Sequence, residues 1–160
     1  MSWTYKTNKI GDVTQFPENT FGFVYLITHK PTNKSYIGKK VLYYTRKQKI
    51  GKRELQRLEK AVGRRPSYKL VVKESDWLNY YGSQKEIKNL LLEGKKDEFE
   101  RTILKLSPNK KLLTYYEVKF QMIYQVLEKP DEFFNDNILG KFFSKDFIDI
   151  KFEDFLDFEE

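Results

Sequence analysis

The sequence predicts a small α/β sandwich in which a three-stranded antiparallel sheet is flanked by helices. Three observations lead there. The 160 residues suit a single hydrophobic core. Aromatic residues make up 16% of the chain, which supplies the surface to bury that a highly charged chain would otherwise lack. Hydrophobic periodicity alternates between strand and helix in the order β, β, α, α, β, α.

Residues 21–28, FGFVYLIT, are aromatic and β-branched, and HKPTNK supplies turn residues before SYIGKKV, so the two stretches read as a β-hairpin. Residues 52–62 place Leu55, Leu58 and Val62 at helical spacing and stop at Gly63, after which GRRPSYK reads as a basic loop. Asp76, Trp77, Tyr80 and Tyr81 read as a packed corner of the core rather than a platform for unstacked bases. Ser83 and Glu86 form an S-x-x-E capping box for a helix that Gly94 closes. EFERTILKL, residues 98–106, suits a third strand. Over 111–128, Leu113, Tyr116, Phe120, Ile123 and Leu127 fall on one stripe of a long helix. The chain thus divides into an N-terminal extension (1–20), the domain (21–143, with a basic insert at 47–75) and an acidic-aromatic tail (144–160).

Composition narrows the chemistry. With no Cys, disulfides, thiolate nucleophiles and Cys-ligated zinc are excluded, and a lone His29 excludes multi-histidine metal sites. No apolar run approaches the roughly 18 residues that cross a bilayer, and MSWTYKTNKIGD has no signal-peptide core, so a soluble cytoplasmic protein without a membrane partner is expected. The net charge of +7 is unevenly spread: residues 131–160 carry −7 and residues 1–130 carry +14. The 47–75 segment alone contributes +7, which makes a polyanion the expected partner.

Tyr25 lies in the first hairpin strand and Tyr36 eleven residues later in the second, followed by Ile37 and Gly38, with Arg46 ten residues beyond Tyr36. On these residues the sequence resembles the GIY-YIG nucleases. Phe23-Val24-Tyr25 departs from the first half of the signature at the glycine and isoleucine, whereas Tyr36-Ile37-Gly38 matches the second half. YIGKK, ESDWLNYYGS, LTYYEVKFQ and FFNDNILGKFF resemble members encoded by tailed bacteriophages, which would place the protein in the cytoplasm of an infected bacterial host. The resemblance runs from about residue 21 to about residue 143.

The resemblance implies a GIY-YIG sandwich that acts as a metal-dependent DNA endonuclease. A phosphodiester would be hydrolysed by water, with a tyrosine as general base, an arginine on the phosphate and one divalent cation. It places the metal-binding glutamate at Glu117 and a site asparagine at Asn135 or Asn137, with Asn137 preferred. The residue chemistry agrees. Glu117 offers a hard oxygen ligand, and Mg²⁺, or Mn²⁺ in its place, suits a single carboxylate because it keeps most of its waters. No basic residue stands three or four positions from Glu117, which argues against a local helix ion pair. Arg46 has a planar fork matched to phosphate oxygens.

Tyr25 and Tyr36 are poor bases near pH 7 unless a cation favours the phenolate, and Lys39 or Lys40 could supply it. The histidine that some members carry after the arginine is missing, and His29 reads as a turn residue. Lys40, Lys47, Arg53, Arg57, Arg64 and Arg65 are expected to follow the DNA backbone. About 17 residues follow the matched region, too few for the separate DNA-reading domain of a homing endonuclease. A protein partner or a homo-oligomer stays open, and the rival reading is a non-catalytic binding module on a degenerate GIY-YIG scaffold.

Overall fold

The computed structural model describes residues 2–58 and 67–147. Arg64 and Arg65, Gly63, Val62 and all but four residues of the acidic tail lie outside the described residues.

A five-stranded sheet forms the centre, in the order β2-β1-β7-β3-β4. Its hairpin is β3 (Gly22–His29) and β4 (Lys34–Val41), paired in register from Gly22↔Val41 to His29↔Lys34 as the turn residues predict. β7 (Phe99–Ser107) pairs antiparallel with β3 on its other side, within one residue of the expected third strand. The three-stranded expectation is corrected by the N-terminal segment, where β1 (Trp3–Tyr5) lies parallel to β7 and β2 (Asn8–Ile10) folds back on β1. The reason is Trp3. Its ring is fully buried against Phe23 and Tyr25, and its indole Nε1 donates to the carbonyl of Trp77 at 2.9 Å, so a short polar-looking strand is held by one large side chain.

Both faces of the sheet are covered, which explains the continuous apolar run of β3. On one face Phe23, Tyr25 and Ile27 pack with Trp3, Trp77, Tyr81 and Phe99, while Val24 on the other meets Leu113, Leu127 and Phe133. Trp77 and Tyr81 are thus core residues, as the sequence predicts.

α2 (Lys85–Leu92) ends at Gly94, whose φ of 80° only glycine adopts without strain. Its cap differs from the S-x-x-E expectation: the side chain of Gln84 accepts from the backbone N–H groups of Glu86 and Ile87, which moves the cap one residue on and leaves Ser83 for another partner. α3 (Lys110–Ile123) is capped by Asn109 Oδ1, which accepts from Leu112 N–H at 2.9 Å. It stops five residues short of the expected end because Gln125 turns left-handed, with φ 54°. Leu113 and Leu127 are buried, but Ile123 is 62% exposed and Gln121 takes the inward position.

The basic insert departs most from expectation. The expected helix is present over its described part as α1 (Lys52–Leu58), while the segments on either side of it, instead of being loop, pair as an unexpected two-stranded antiparallel ribbon of β5 (Tyr43–Lys49) and β6 (Tyr68–Glu74). The ribbon is a separate sheet rooted at Leu42, which donates to the Phe21 carbonyl and accepts from Ser75 N–H. A last small hairpin joins β8 (Asn137–Ile138) to β9 (Phe142–Phe143).

Candidate active site

β4 is an edge strand of the main sheet, so side chains on both of its faces can reach one cleft. That cleft, about 330 Å³, is bounded by Tyr36, Lys39, Ser83, Glu117, Gln121 and Asn135, with the 136–140 turn closing one side.

Glu117 enters from α3, its side chain only 16% exposed, and meets Lys39 of β4 with Nζ to Oε2 at 2.8 Å. The same ammonium donates to Thr114 Oγ1 at 3.0 Å. The ion pair that the local sequence argued against therefore exists, made across elements instead of along the helix. Lys39 is thus committed to a carboxylate and not to a phenol.

Tyr25 and Tyr36 take different positions. Tyr25 is 1% exposed, and burial, reinforced by Tyr36 and Tyr80, pushes its phenol well above the usual value of 10. Its hydroxyl lies under Gly38, where a Cβ would overlap it, so the third residue of Tyr36-Ile37-Gly38 is a close approach of backbone to ring. Tyr36 is half-buried and lines the cleft, its hydroxyl 3.5 Å from Ser83 Oγ. Burial raises this phenol too, while the Ser83 hydroxyl opposes the rise. Ser83 is held there by Gly82, which has φ 88° and carries the backbone past the Tyr36 ring.

Of the two asparagines, Asn135 is the buried one. Its Oδ1 accepts from Ile37 N–H at 2.9 Å and its Nδ2 donates to the Ile37 carbonyl at 2.8 Å. Asn137 lines the cleft but closes a turn, accepting from Gly140 N–H and donating to Asp136. Gln121, which the stripe reading missed, donates to the same Ile37 carbonyl at 3.1 Å. A polar residue flanked by apolar ones on the inward face of α3 was the available signal. Together Asn135 and Gln121 satisfy the outward-facing backbone groups of β4 at the buried Ile37 and fix the backbone between Tyr36 and Gly38.

The remaining candidates lie elsewhere. Arg46 is exposed on β5, opposite Val71, and is not among the residues lining the cleft. Lys40 ion-pairs with Asp76 and stacks 3.7 Å above the Tyr80 ring, with its side chain 14% exposed. It braces the core corner. Lys47, Arg53 and Arg57 are exposed on the ribbon and α1. His29 is buried at the end of β3 between Thr32 and Glu98, at 2.8 and 2.9 Å, away from the cleft.

The antiparallel pair of tyrosine-bearing strands beside a helix that offers one carboxylate defines a GIY-YIG type of domain. The family model described as "Putative endonuclease segE, GIY-YIG domain" matches residues 3–138, and the chain belongs to that family of GIY-YIG endonuclease domains. No curated protein and no solved structure matches the chain. The match begins at residue 3 and so takes in β1 and β2.

Proposed function

We propose that the cleft hydrolyses DNA phosphodiesters with the help of a divalent cation. The observation supporting this most directly is the convergence of Tyr36 and Lys39 of β4, Glu117 of α3 and Asn135, from three separate stretches of chain, on one open cleft at a sheet edge. The donors present fit a hard cation: Glu117 is the carboxylate that would hold it, Asp136 lines the same cleft, and the other lining polar groups are amides and hydroxyls. Among the described residues no group of three or more His, Cys, Asp or Glu is placed to hold a metal ion. When bound, the cation would neutralise phosphate charge and acidify water.

Tyr36 is the better placed of the two phenols, since Tyr25 is sealed beneath Gly38. Tyr36 orients the attacking water and takes its proton. Lys39 pairs with Glu117 in this structure and, with Glu117 holding a cation, would be free to meet a phosphate oxygen. Asn135 and Gln121 hold the Ile37 peptide, and with it both neighbours in β4, in place.

The test is cleavage of supercoiled plasmid with Mg²⁺ or Mn²⁺ by the wild type beside a folded Glu117→Gln protein. Nicking or linearisation by the wild type alone supports the reading. One observation favours a second reading, a non-catalytic DNA-binding module: the carboxylate is already neutralised by Lys39, and no arginine among the described residues lines the cleft. A protein that shifts DNA but cuts no duplex, single-stranded or branched DNA would establish that reading instead.

A further inference from the structure

The β5–β6 ribbon has features that the cleft does not explain. Seven residue pairs stand in register, and directly opposed residues share a face. One face carries Tyr44, Arg46 and Gln48 from β5 with Lys69, Val71 and Lys73 from β6. Arg46, Gln48, Val71 and Lys73, joined by Lys47 and Lys49, line a shallow concavity at this part of the ribbon. Arg46 and Lys73 make no ion pair among the described residues, whereas Lys69 reaches back to Glu54 of α1 at 2.8 Å. The opposite face carries Tyr68, Leu70 and Val72 of β6 opposite Lys49, Lys47 and Thr45 of β5, so its exposed apolar residues are interleaved with two lysines.

We propose that the ribbon lies in the major groove of duplex DNA, with Arg46 and Gln48 reading base edges. This rests on DNA being the substrate, as proposed above. Three arguments converge on that occupant. The shape is right, because the major groove of B-form DNA, about 12 Å wide, admits a two-stranded ribbon, whereas the major groove of A-form RNA is too narrow. The side chains are right: a guanidinium pairs bidentately with guanine O6 and N7, a carboxamide with adenine N6 and N7, and Val71, directly opposite Arg46, can meet a thymine methyl.

The charge is also right. β5, α1 and β6 together hold eight Lys or Arg against Glu54 and Glu74, so cations flank the reading pair on the ribbon and at its tip. Arg46 thereby has a function away from the cleft, where its spacing in the sequence had suggested a phosphate clamp.

The placement sets a distance. The ribbon continues the chain of β4 beyond Leu42, so Arg46 stands at most about 23 Å along an extended chain from Lys39. With the reach of the two side chains added, the bases read fall within about ten base pairs of the bond in the cleft.

The test is selection of bound duplexes from a randomised library by the non-cutting Glu117→Gln protein in metal-free buffer, followed by sequencing. Enrichment of guanine and adenine at fixed positions is expected. The additional changes Arg46→Ala and Gln48→Ala should lower preference for the enriched duplex over a scrambled one about tenfold or more, whereas Leu70→Ser, 69% exposed on the other face, should leave it unchanged. Methyl green, which occupies the major groove, should displace the protein, and netropsin, a minor-groove ligand, should not.

No enrichment, no duplex binding, a preference surviving the double change, or one lost with Leu70→Ser would each overturn the proposal. A change of oligomeric state with Leu70→Ser and no base preference would instead assign the ribbon to a second copy of this chain. Cleavage is read separately, so enrichment by a protein whose wild type never cuts sustains the ribbon and removes the nuclease reading.

Discussion

Tyr36 and Tyr25 separate two effects of one chemical group. If Tyr36 takes the proton from water, a phenol raised by burial leaves little phenolate at neutral pH, so the cleavage rate should rise about tenfold per unit between pH 7 and 9. Tyr36→Phe should lower the rate and remove that slope, as initial nicking rates across pH would show. Tyr25 governs stability instead. Its folded value lies above the unfolded one near 10, so its contribution is complete below pH 10 and is lost as pH rises beyond it. Urea midpoints measured from pH 8 to 11.5 should fall more steeply for the wild type than for Tyr25→Phe. Asn135→Ala leaves the buried peptide of Ile37 short of partners and should cost about 1–3 kcal/mol in denaturant unfolding.

The elements test where local signals suffice. The hairpin of β3 and β4, the end of α2 at Gly94 and the extent of β7 were legible because each depends on neighbours in sequence: a turn, a left-handed glycine, an apolar run. The cap of α2 was misread by one residue, since Ser83 and Gln84 can both accept from the first turn and only the Tyr36 hydroxyl across the cleft distinguishes them. Gln84→Ala should therefore lower stability by about 1 kcal/mol, and Ser83→Ala by less, in thermal or urea unfolding.

The ribbon was illegible for a physical reason. β6 has exposed apolar residues on one face and charge on the other, and a pair of strands without a core beneath it lacks the burial pattern by which strands are recognised. In the candidate site, Tyr36 and Glu117 could be found by spacing within a resemblance. Gln121, Asn135 and the Lys39 ion pair depend on which strand becomes the edge of the sheet.

The whole molecule is held by contacts between segments far apart in the chain. β1 joins β7 almost 100 residues later, and Trp3 fills the space between the sheet and Trp77. Trp3→Ala should cost about 3–5 kcal/mol, with a matching fall in the thermal midpoint by calorimetry, although it lies far from the cleft. No helix among the described residues is long and apolar enough to cross a membrane.

That same pairing of first strand with late strand has a temporal side. During synthesis β1 emerges long before β7, so its edge and the Trp3 indole must wait for the central strand of the sheet to arrive. The cleft waits longer still, because Asn135 secures β4 only after α3 is made. A ribosome partway through the message thus holds a chain that already displays its basic residues but has no assembled cleft. If the cleft is a nuclease, the order of translation keeps it inert until nearly all of the domain has been made.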